Sequence, residues 1–204
     1  MRNSDRSFFI KNIFIQEWNQ DQEQAILYIH GFPGCADQAR LMTTTPLLEN
    51  FRLIAIDRPG YGRSKYQPKL TPVKFAVQLV EILDQLKVKK VSILSVSGGA
   101  PYSMALAHLL QDRAIKLCSI GGVAPLTRKN RKFMNLQQKK AWWFNRVVPS
   151  TVAHFILNRY WQKGIDRVDK MLFTNLDSFS EPDRIVFSHP EISPVLAQTF
   201  KFGI

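Results

Sequence analysis

The stretch that decides the fold is residues 90–110, KVSILSVSGGAPYSMALAHLL. It starts with the apolar run Lys90–Leu94, passes through Ser-Val-Ser-Gly-Gly at 95–99, and continues as the apolar, helix-forming segment Ala100–Leu110. This order predicts a buried strand, a very tight turn and a helix. A serine at the centre of such a turn has a strained backbone and an exposed hydroxyl, so Ser97 is the candidate nucleophile.

Small residues are required on both sides of Ser97, because the strand and the helix pass close to each other there. Ser95 and Gly99 fill these positions. Gly98 follows Ser97 at the helix start, where its backbone N–H is available to an oxyanion. A Ser/Gly turn without chemistry remains the alternative for this motif taken alone.

A second glycine-rich motif, HGFPG at residues 30–34, directly follows the apolar run Ala25–Ile29. A loop at the carboxyl end of a central strand lies over the ligand crevice of an α/β sheet. We expect the Phe32 N–H to be the second oxyanion donor beside Gly98, since acyl transfer uses two such donors. The alternative is a plain Gly/Pro turn.

Short apolar runs alternate with helical patterns over the first 125 residues, which predicts an α/β fold with a mostly parallel sheet and helices on both faces. The clearest helix covers residues 71–86, with Thr71 as its cap and Pro72 at the first helical position. The predicted strands are Phe8–Ile15, Ala25–Ile29, Phe51–Ile56, Lys90–Leu94 and Ile115–Ile120.

The pattern changes after Pro125, where strand-like runs give way to aromatic and basic helical stretches. We therefore predict a core over residues 1–125 and a helical cap, or lid, over residues 126–204. The tail contains three prolines that we expect to divide it into short pieces, Pro182, Pro190 and Pro194.

Three motifs in this order and spacing resemble the α/β-hydrolase superfamily, in particular its proline-iminopeptidase-like and haloperoxidase-like members. They are HGFPG at 30–34, DRPGYGRS at 57–64 and SVSGGAPY at 95–102. The resemblance implies an α/β-hydrolase core, incomplete at its C-terminus and followed by a cap. It also implies a serine hydrolase that cleaves an ester, amide or related bond through an acyl-Ser97 intermediate.

The resemblance assigns a role to each motif. Ser97 matches the nucleophile, and Phe32 and Gly98 match the oxyanion donors. Ser95 replaces the commoner glycine, but it is small enough for the turn. The DRPGYGRS segment matches a structural turn, with Asp57, Arg58, Gly60, Gly62 and Ser64 as its matching residues. We expect substrate contacts from His30, Gly31, Trp142 and Trp143, with His30 shaping the loop.

The family places an acid and then a histidine after the nucleophile. The chain reaches Ile204 without a clear match to either, and the residues after the sixth strand, GGVAP at 121–125, cannot ionise. The histidines are His30, His108, His154 and His189, and none matches the base. We expect the 204-residue chain to be inactive by itself. The alternative is a non-catalytic binding module that retains the pocket.

The positive charge is concentrated in one segment. The chain has a net charge of +12, and residues 128–170 hold 11 basic and 2 acidic side chains. Basic residues there adjoin Trp142, Trp143 and Phe144, and a surface for nucleic acid or anionic lipid is a weaker alternative. A solvated face above packed aromatics is the expected arrangement, so we expect neither nucleic acid nor a membrane as partner.

The remaining expectations concern ligands and environment. We expect a small-molecule substrate with an apolar or aromatic group, no cofactor and no metal, and self-association through an exposed sheet edge. The start of the chain has no signal-peptide pattern. Cys35 and Cys118 are predicted to be free thiols in a cytoplasmic protein, with Cys118 buried and Cys35 more accessible.

Overall fold

The computed structural model describes residues 5–123, 127, 129–149, 152–153, 155–156, 159 and 179–202. Six strands form one sheet in the order β1-β2-β4-β3-β5-β6. The strands are β1 Arg6–Ile10, β2 Ile13–Trp18, β3 Ala25–Ile29, β4 Arg52–Ile56, β5 Val91–Val96 and β6 Ala114–Ile120. The helices are α1 Pro72–Gln85, α2 Ala100–Leu110, α3 Leu136–Val147, α4 Glu181–Ser188 and α5 Ile192–Phe202.

The sheet is parallel from β4 to its β6 edge and antiparallel at its β1 edge. Strands β4, β3, β5 and β6 are parallel neighbours, whereas β1 pairs antiparallel with β2, and β2 with β4. The predicted single strand Phe8–Ile15 is therefore wrong. Lys11 and Asn12 have φ angles of 50° and 75°, and this left-handed pair turns the chain into a hairpin.

Helices α1 and α2 cover one face of the sheet, and a short 3-10 segment, Ala36–Thr44, covers the other. The predicted cap of α1 is confirmed: the Lys74 N–H donates to Thr71 Oγ1 at 3.2 Å, and Pro72 begins the helix. The buried side of α1 includes Phe75 and Leu79, which pack on apolar residues of the central strands. The mostly parallel α/β fold is thus confirmed.

Among the described residues, the tail contains two short helices, and only Pro190 separates them, whereas Pro182 and Pro194 lie in first turns. Pro182 lies in the first turn of α4, Pro194 is the third residue of α5, and Pro190 lies in the turn between them. A first-turn proline loses no helical hydrogen bond, because the first N–H groups have no partner within the helix. Helix α5 packs on the Ala36–Thr44 segment, so part of the predicted cap contacts the core. The boundary near 125 lies outside the described residues and stays a prediction.

The two cysteines are free thiols, but their environments are the reverse of those predicted. Cys35, directly after the 30–34 loop, is fully buried, whereas Cys118 is exposed on β6. Strand β6 is the edge of the described sheet, and most of its side chains on both faces are exposed. Among the residues described, no helix has the length and apolarity needed to cross a membrane.

Candidate active site

Ser97 lies at the turn between β5 and α2, as predicted. Its φ angle is 47°, in the left-handed region that non-glycine residues rarely adopt. Such a conformation costs about 1–3 kcal/mol and is typical of functional turns. Ser97 is half-buried, and within the described part of the chain its hydroxyl has no hydrogen-bond partner. The turn therefore holds this hydroxyl between the carboxyl end of β5 and the start of α2.

Close backbone contacts explain the glycines around Ser97. A Cβ atom on Gly99 would lie 2.5 Å from the Ile29 carbonyl oxygen, so the start of α2 meets the end of β3 only because this residue is glycine. A Cβ atom on Gly31 would lie 3.0 Å from the Ser97 Cβ atom. The HGFPG loop therefore lies directly against the Ser97 turn.

The two predicted oxyanion donors are neighbours. A Cβ atom on Gly98 would lie 3.6 Å from the Phe32 backbone nitrogen, which places both residues beside Ser97. The Phe32 ring is 47% exposed and makes an edge contact with Tyr61, at 6.2 Å between ring centroids. The site thus combines a serine hydroxyl, two adjacent backbone amides and an accessible aromatic ring.

Ser95 shows how the turn accommodates a serine at a position where glycine is commoner. Its hydroxyl is fully buried and lies 2.8 Å from the Ser103 hydroxyl. Since Ser103 donates to the Ala100 carbonyl oxygen, Ser95 donates to Ser103. This hydrogen bond ties the end of β5 to the first turn of α2 and satisfies a polar group that would otherwise be costly to bury.

His30 supports the loop from below. It is fully buried, its Nε2 accepts from the Arg58 N–H at 3.0 Å, and its Nδ1 donates to the Gly31 carbonyl oxygen at 2.8 Å. Burial, with the Arg58 charge, lowers its pKa to about 3. The ring is therefore neutral with both nitrogens engaged, and neither nitrogen is available to Ser97 or to a ligand.

Arg58 is a site residue whose role sequence reasoning did not identify. Its guanidinium donates to the Gly31 carbonyl oxygen at 2.7 Å and lies over the rings of Tyr61 and Tyr102, at 4.3 and 5.1 Å. It therefore joins the HGFPG loop to the turn after β4 and to α2. The DRPGYGRS motif predicted that Arg58 lies in a structural turn. Nothing in the local sequence predicted its contacts with Gly31 and Tyr102, which lie far away along the chain.

The turn after β4 is built around Asp57, which is fully buried. Its carboxylate accepts from the Ala36 N–H at 2.6 Å, and from the N–H and Nε of Arg63 at 2.7 and 3.2 Å. Ser64 donates to the Asp57 carbonyl oxygen at 2.7 Å. Burial raises the pKa of Asp57, while these donors oppose the rise. Every contact is internal, as the predicted structural role requires.

The other predicted residues lie further from these contacts. His108 is exposed in the last turn of α2, and exposed His189 accepts from the Glu191 N–H. Trp142 is half-buried on α3, and Trp143 is 60% exposed there. His154 lies outside the described residues. The loop after β6 reaches the site, because the Val123 N–H donates to the Ser97 carbonyl oxygen at 3.2 Å.

Comparison with known proteins matches the sequence to one family. The family described as alpha/beta hydrolase fold matches residues 24–163. Esterase YbfF of Escherichia coli (strain K12) is 30% identical over 108 residues, 53% of this chain and 42% of that protein. A non-heme chloroperoxidase of Burkholderia pyrrocinia is 22% identical over 84% of this chain and 72% of that protein.

A solved structure extends the fold likeness along the chain. Cfl2 from Burkholderia cenocepacia superposes with a TM-score of 0.60 at 18% identity, covering 97% of this chain and 70% of that protein. At this identity the likeness concerns the fold alone. The chain spans less than half of the esterase's length and about seven-tenths of the chloroperoxidase's.

Proposed function

We propose that this chain, which belongs to the alpha/beta hydrolase fold family, is a serine hydrolase whose nucleophile is Ser97. The observation that carries the proposal is the strained Ser97, with a φ of 47°, beside the Phe32 and Gly98 backbones. Similarity to an esterase favours an ester, amide or related bond as the target. This proposal concerns the reaction type of the family fold, and the rate expected of these 204 residues alone is a separate question.

The proposed reaction has two steps. Ser97 Oγ attacks the substrate carbonyl carbon, and the N–H groups of Phe32 and Gly98 stabilise the negative oxygen of the tetrahedral intermediate. The leaving group departs with a proton, which gives acyl-Ser97. Water then attacks the ester carbon, one proton of that water passes to Ser97 Oγ, and the acid is released. Each donor contributes roughly 3–4 kcal/mol to the transition state in such sites.

A serine needs a base to accept its proton. The three histidines in the described part of the chain do not fill this role: both nitrogens of His30 are engaged, and His108 and His189 are exposed, with His108 in the last turn of α2. We therefore propose that the 204 residues alone hydrolyse substrate very slowly. The same observation favours the second candidate, a binding module that retains the pocket.

A pH profile separates these cases. If Ser97 has no base, acylation by p-nitrophenyl butyrate rises with pH without a plateau, because only the rare alkoxide reacts. If a histidine serves it, the rate levels off near pH 7, at about the histidine pKa. A plateau would contradict the absence of a base. No Ser97-dependent acylation at any pH would favour the binding module.

Matched variants identify the nucleophile. Ser97→Ala should abolish the acylation, while Ser188→Ala should leave it unchanged, because Ser188 is an exposed serine on α4. Equal rates for Ser97→Ala and the unaltered chain would overturn the assignment. Both proteins should first give the same thermal unfolding midpoint.

The proposed substrate is a small molecule with an apolar or aromatic group. The support is the Phe32 ring, which is 47% exposed beside Ser97 and held by Tyr61. Gly31 permits close backbone approach there, and His30 acts through the loop. Of the two proposed cap contacts, Trp142 is half-buried, whereas Trp143 is 60% exposed. Longer acyl chains should lower KM.

Two further proposals concern the protein's surroundings. The exposed β6 edge, with apolar Ile115 and Leu117 at 50% and 41% exposure, favours pairing with β6 of a second copy. Leu117→Lys should then shift the sedimentation profile towards monomer, and an unchanged dimer would contradict it. The free thiols Cys35 and Cys118 favour a cytoplasmic location.

A further inference from the structure

Helix α3 exposes an apolar stripe. Leu136, Trp143 and Val147 are 68%, 60% and 54% exposed. Their spacings of seven and four residues place them on one side of the helix, since each residue turns the chain by about 100°. Apolar side chains in such a row are normally covered, so an exposed row with an aromatic residue at its centre indicates a contact surface.

Positive side chains flank this stripe on both sides. Lys139 and Arg146 lie along one margin and Lys140 along the other, and all three are exposed. Just before the helix, Phe133 is 79% exposed and Lys132 Nζ lies 4.9 Å from its ring centroid. No acidic residue occurs between 129 and 149. The surface therefore combines apolar side chains in the middle with cations at the rim.

We propose that this face of α3 docks on an anionic lipid surface, lying in the plane of the membrane. In such a position Leu136, Trp143 and Val147 enter the boundary between headgroups and acyl chains, while Lys139, Lys140 and Arg146 reach lipid phosphates and carboxylates. The proposal does not require Ser97 to react, and it assigns Trp143 to the lipid surface instead of to the substrate. It reverses the expectation that the aromatics of this segment are packed, because Trp143 is exposed.

The stripe favours lipid over nucleic acid. The cations alone would suit either polyanion, but Leu136 and Val147 are aliphatic and cannot stack on bases as aromatic side chains do. Their burial is favourable only in an apolar medium. A surface for nucleic acid would place cations, not two aliphatic side chains, at the centre of the contact.

Flotation of the full chain with vesicles tests this proposal. The vesicles contain phosphatidylcholine with about one-third phosphatidylserine, at about 0.1 M salt, and pure phosphatidylcholine vesicles are the reference. We expect binding to the anionic vesicles only. The triple variant Lys139→Gln/Lys140→Gln/Arg146→Gln should bind about fivefold more weakly for each charge removed. Leu136→Ala/Trp143→Ala/Val147→Ala should lose about tenfold or more.

The matched control is Lys74→Gln/Lys89→Gln/Lys90→Gln, which removes three exposed charges at positions outside α3 and leaves α3 intact. It should bind as the unaltered chain does. Tryptophan emission should shift to shorter wavelength on vesicle addition, and Trp142→Phe should retain this shift while Trp143→Phe loses it. All variants should keep the unaltered thermal unfolding midpoint.

Four results would overturn the proposal. They are no flotation with anionic vesicles, equal losses in the two charge variants, full binding by the apolar variant, and tighter binding to duplex RNA than to the vesicles at the same salt. Equal losses would show attraction by net charge alone. Tighter RNA binding would assign the face to nucleic acid.

Discussion

Two turns at the carboxyl ends of the parallel strands make the clearest comparison in this molecule. The turn after β4 centres on Asp57, which is fully buried and whose side-chain oxygens accept three hydrogen bonds. The turn after β5 holds Ser97, which is half-buried, has a φ of 47° and lacks a hydroxyl partner among the described residues. The contrast indicates that Asp57, buried with all its contacts internal, stabilises the fold. Ser97, strained and without a hydroxyl partner among the described residues, is the group that we propose to react.

The comparison predicts the largest effect at Asp57. Asp57→Asn leaves Arg63 without part of its buried counter-charge and removes acceptor strength from two backbone amides, so we expect a loss of about 3–5 kcal/mol in the free energy of unfolding. Urea denaturation measures it. Asp84→Asn is the control, because Asp84 pairs with Arg113 at 2.8 Å on the exposed surface. That pair should be worth about 1 kcal/mol or less. Equal losses would refute the structural role of Asp57.

A pH titration sharpens the comparison at His30. Its folded pKa of about 3 lies below the ordinary value of 6.5, so the unfolded chain binds more protons between these pH values. Stability from His30 is therefore complete above pH 6.5 and declines as pH falls, by about 2 kcal/mol at pH 5. The measurement is the unfolding free energy from pH 7.5 to 4. His30→Asn should be less stable at pH 7.5 and show a flatter profile; parallel profiles would contradict the buried neutral ring.

A somewhat smaller loss is expected for Gly99→Ala. The new Cβ atom would lie 2.5 Å from the Ile29 carbonyl oxygen, so backbone must move, at a cost of about 1–2 kcal/mol. Gly121→Asn is the matched control. Gly121 has a φ of 57°, which asparagine tolerates, and its added Cβ would contact nothing within 4 Å. Thermal unfolding compares them, and a stable Gly99→Ala would mean that β3 and α2 are further apart.

Ser97 should show the smallest and opposite effect on stability. Ser97→Gly relieves the left-handed strain and should raise the free energy of unfolding by up to about 1 kcal/mol. Ser95→Ala, two residues earlier, should instead lower it by about 1–2 kcal/mol, because Ser103 loses a buried partner. Urea denaturation of both variants checks the sign. A large loss in Ser97→Gly would place Ser97 among the groups that hold the fold.

The sequence predicted the central strands, helix α1 and the Ser97 turn, because each has a strong local signal. Continuous apolar runs mark strands buried on both faces, and the Thr71-Pro72 pair marks a helix start. Ser97 was found because its small neighbours are a steric requirement of the turn. In each of these elements, residues that are close in the sequence determine the local structure.

Other features depend on distant partners and could not be predicted. Cys35 is buried because the Ala36–Thr44 segment folds onto the sheet, and Cys118 is exposed because β6 lies at the described edge. The hairpin at Lys11 and Asn12 was missed because apolar residues flank the turn on both sides. The contacts of Arg58 with Gly31 and Tyr102 join three separate parts of the chain.

Covalent trapping tests the central claim, that Ser97 is the reactive group of this fold. The chain is incubated with a fluorophosphonate at high pH, and the adduct is located by peptide mass spectrometry. We expect one adduct per chain, on the peptide that contains Ser97, and none in Ser97→Ala. An adduct on another serine, or undiminished labelling of Ser97→Ala, would contradict the account.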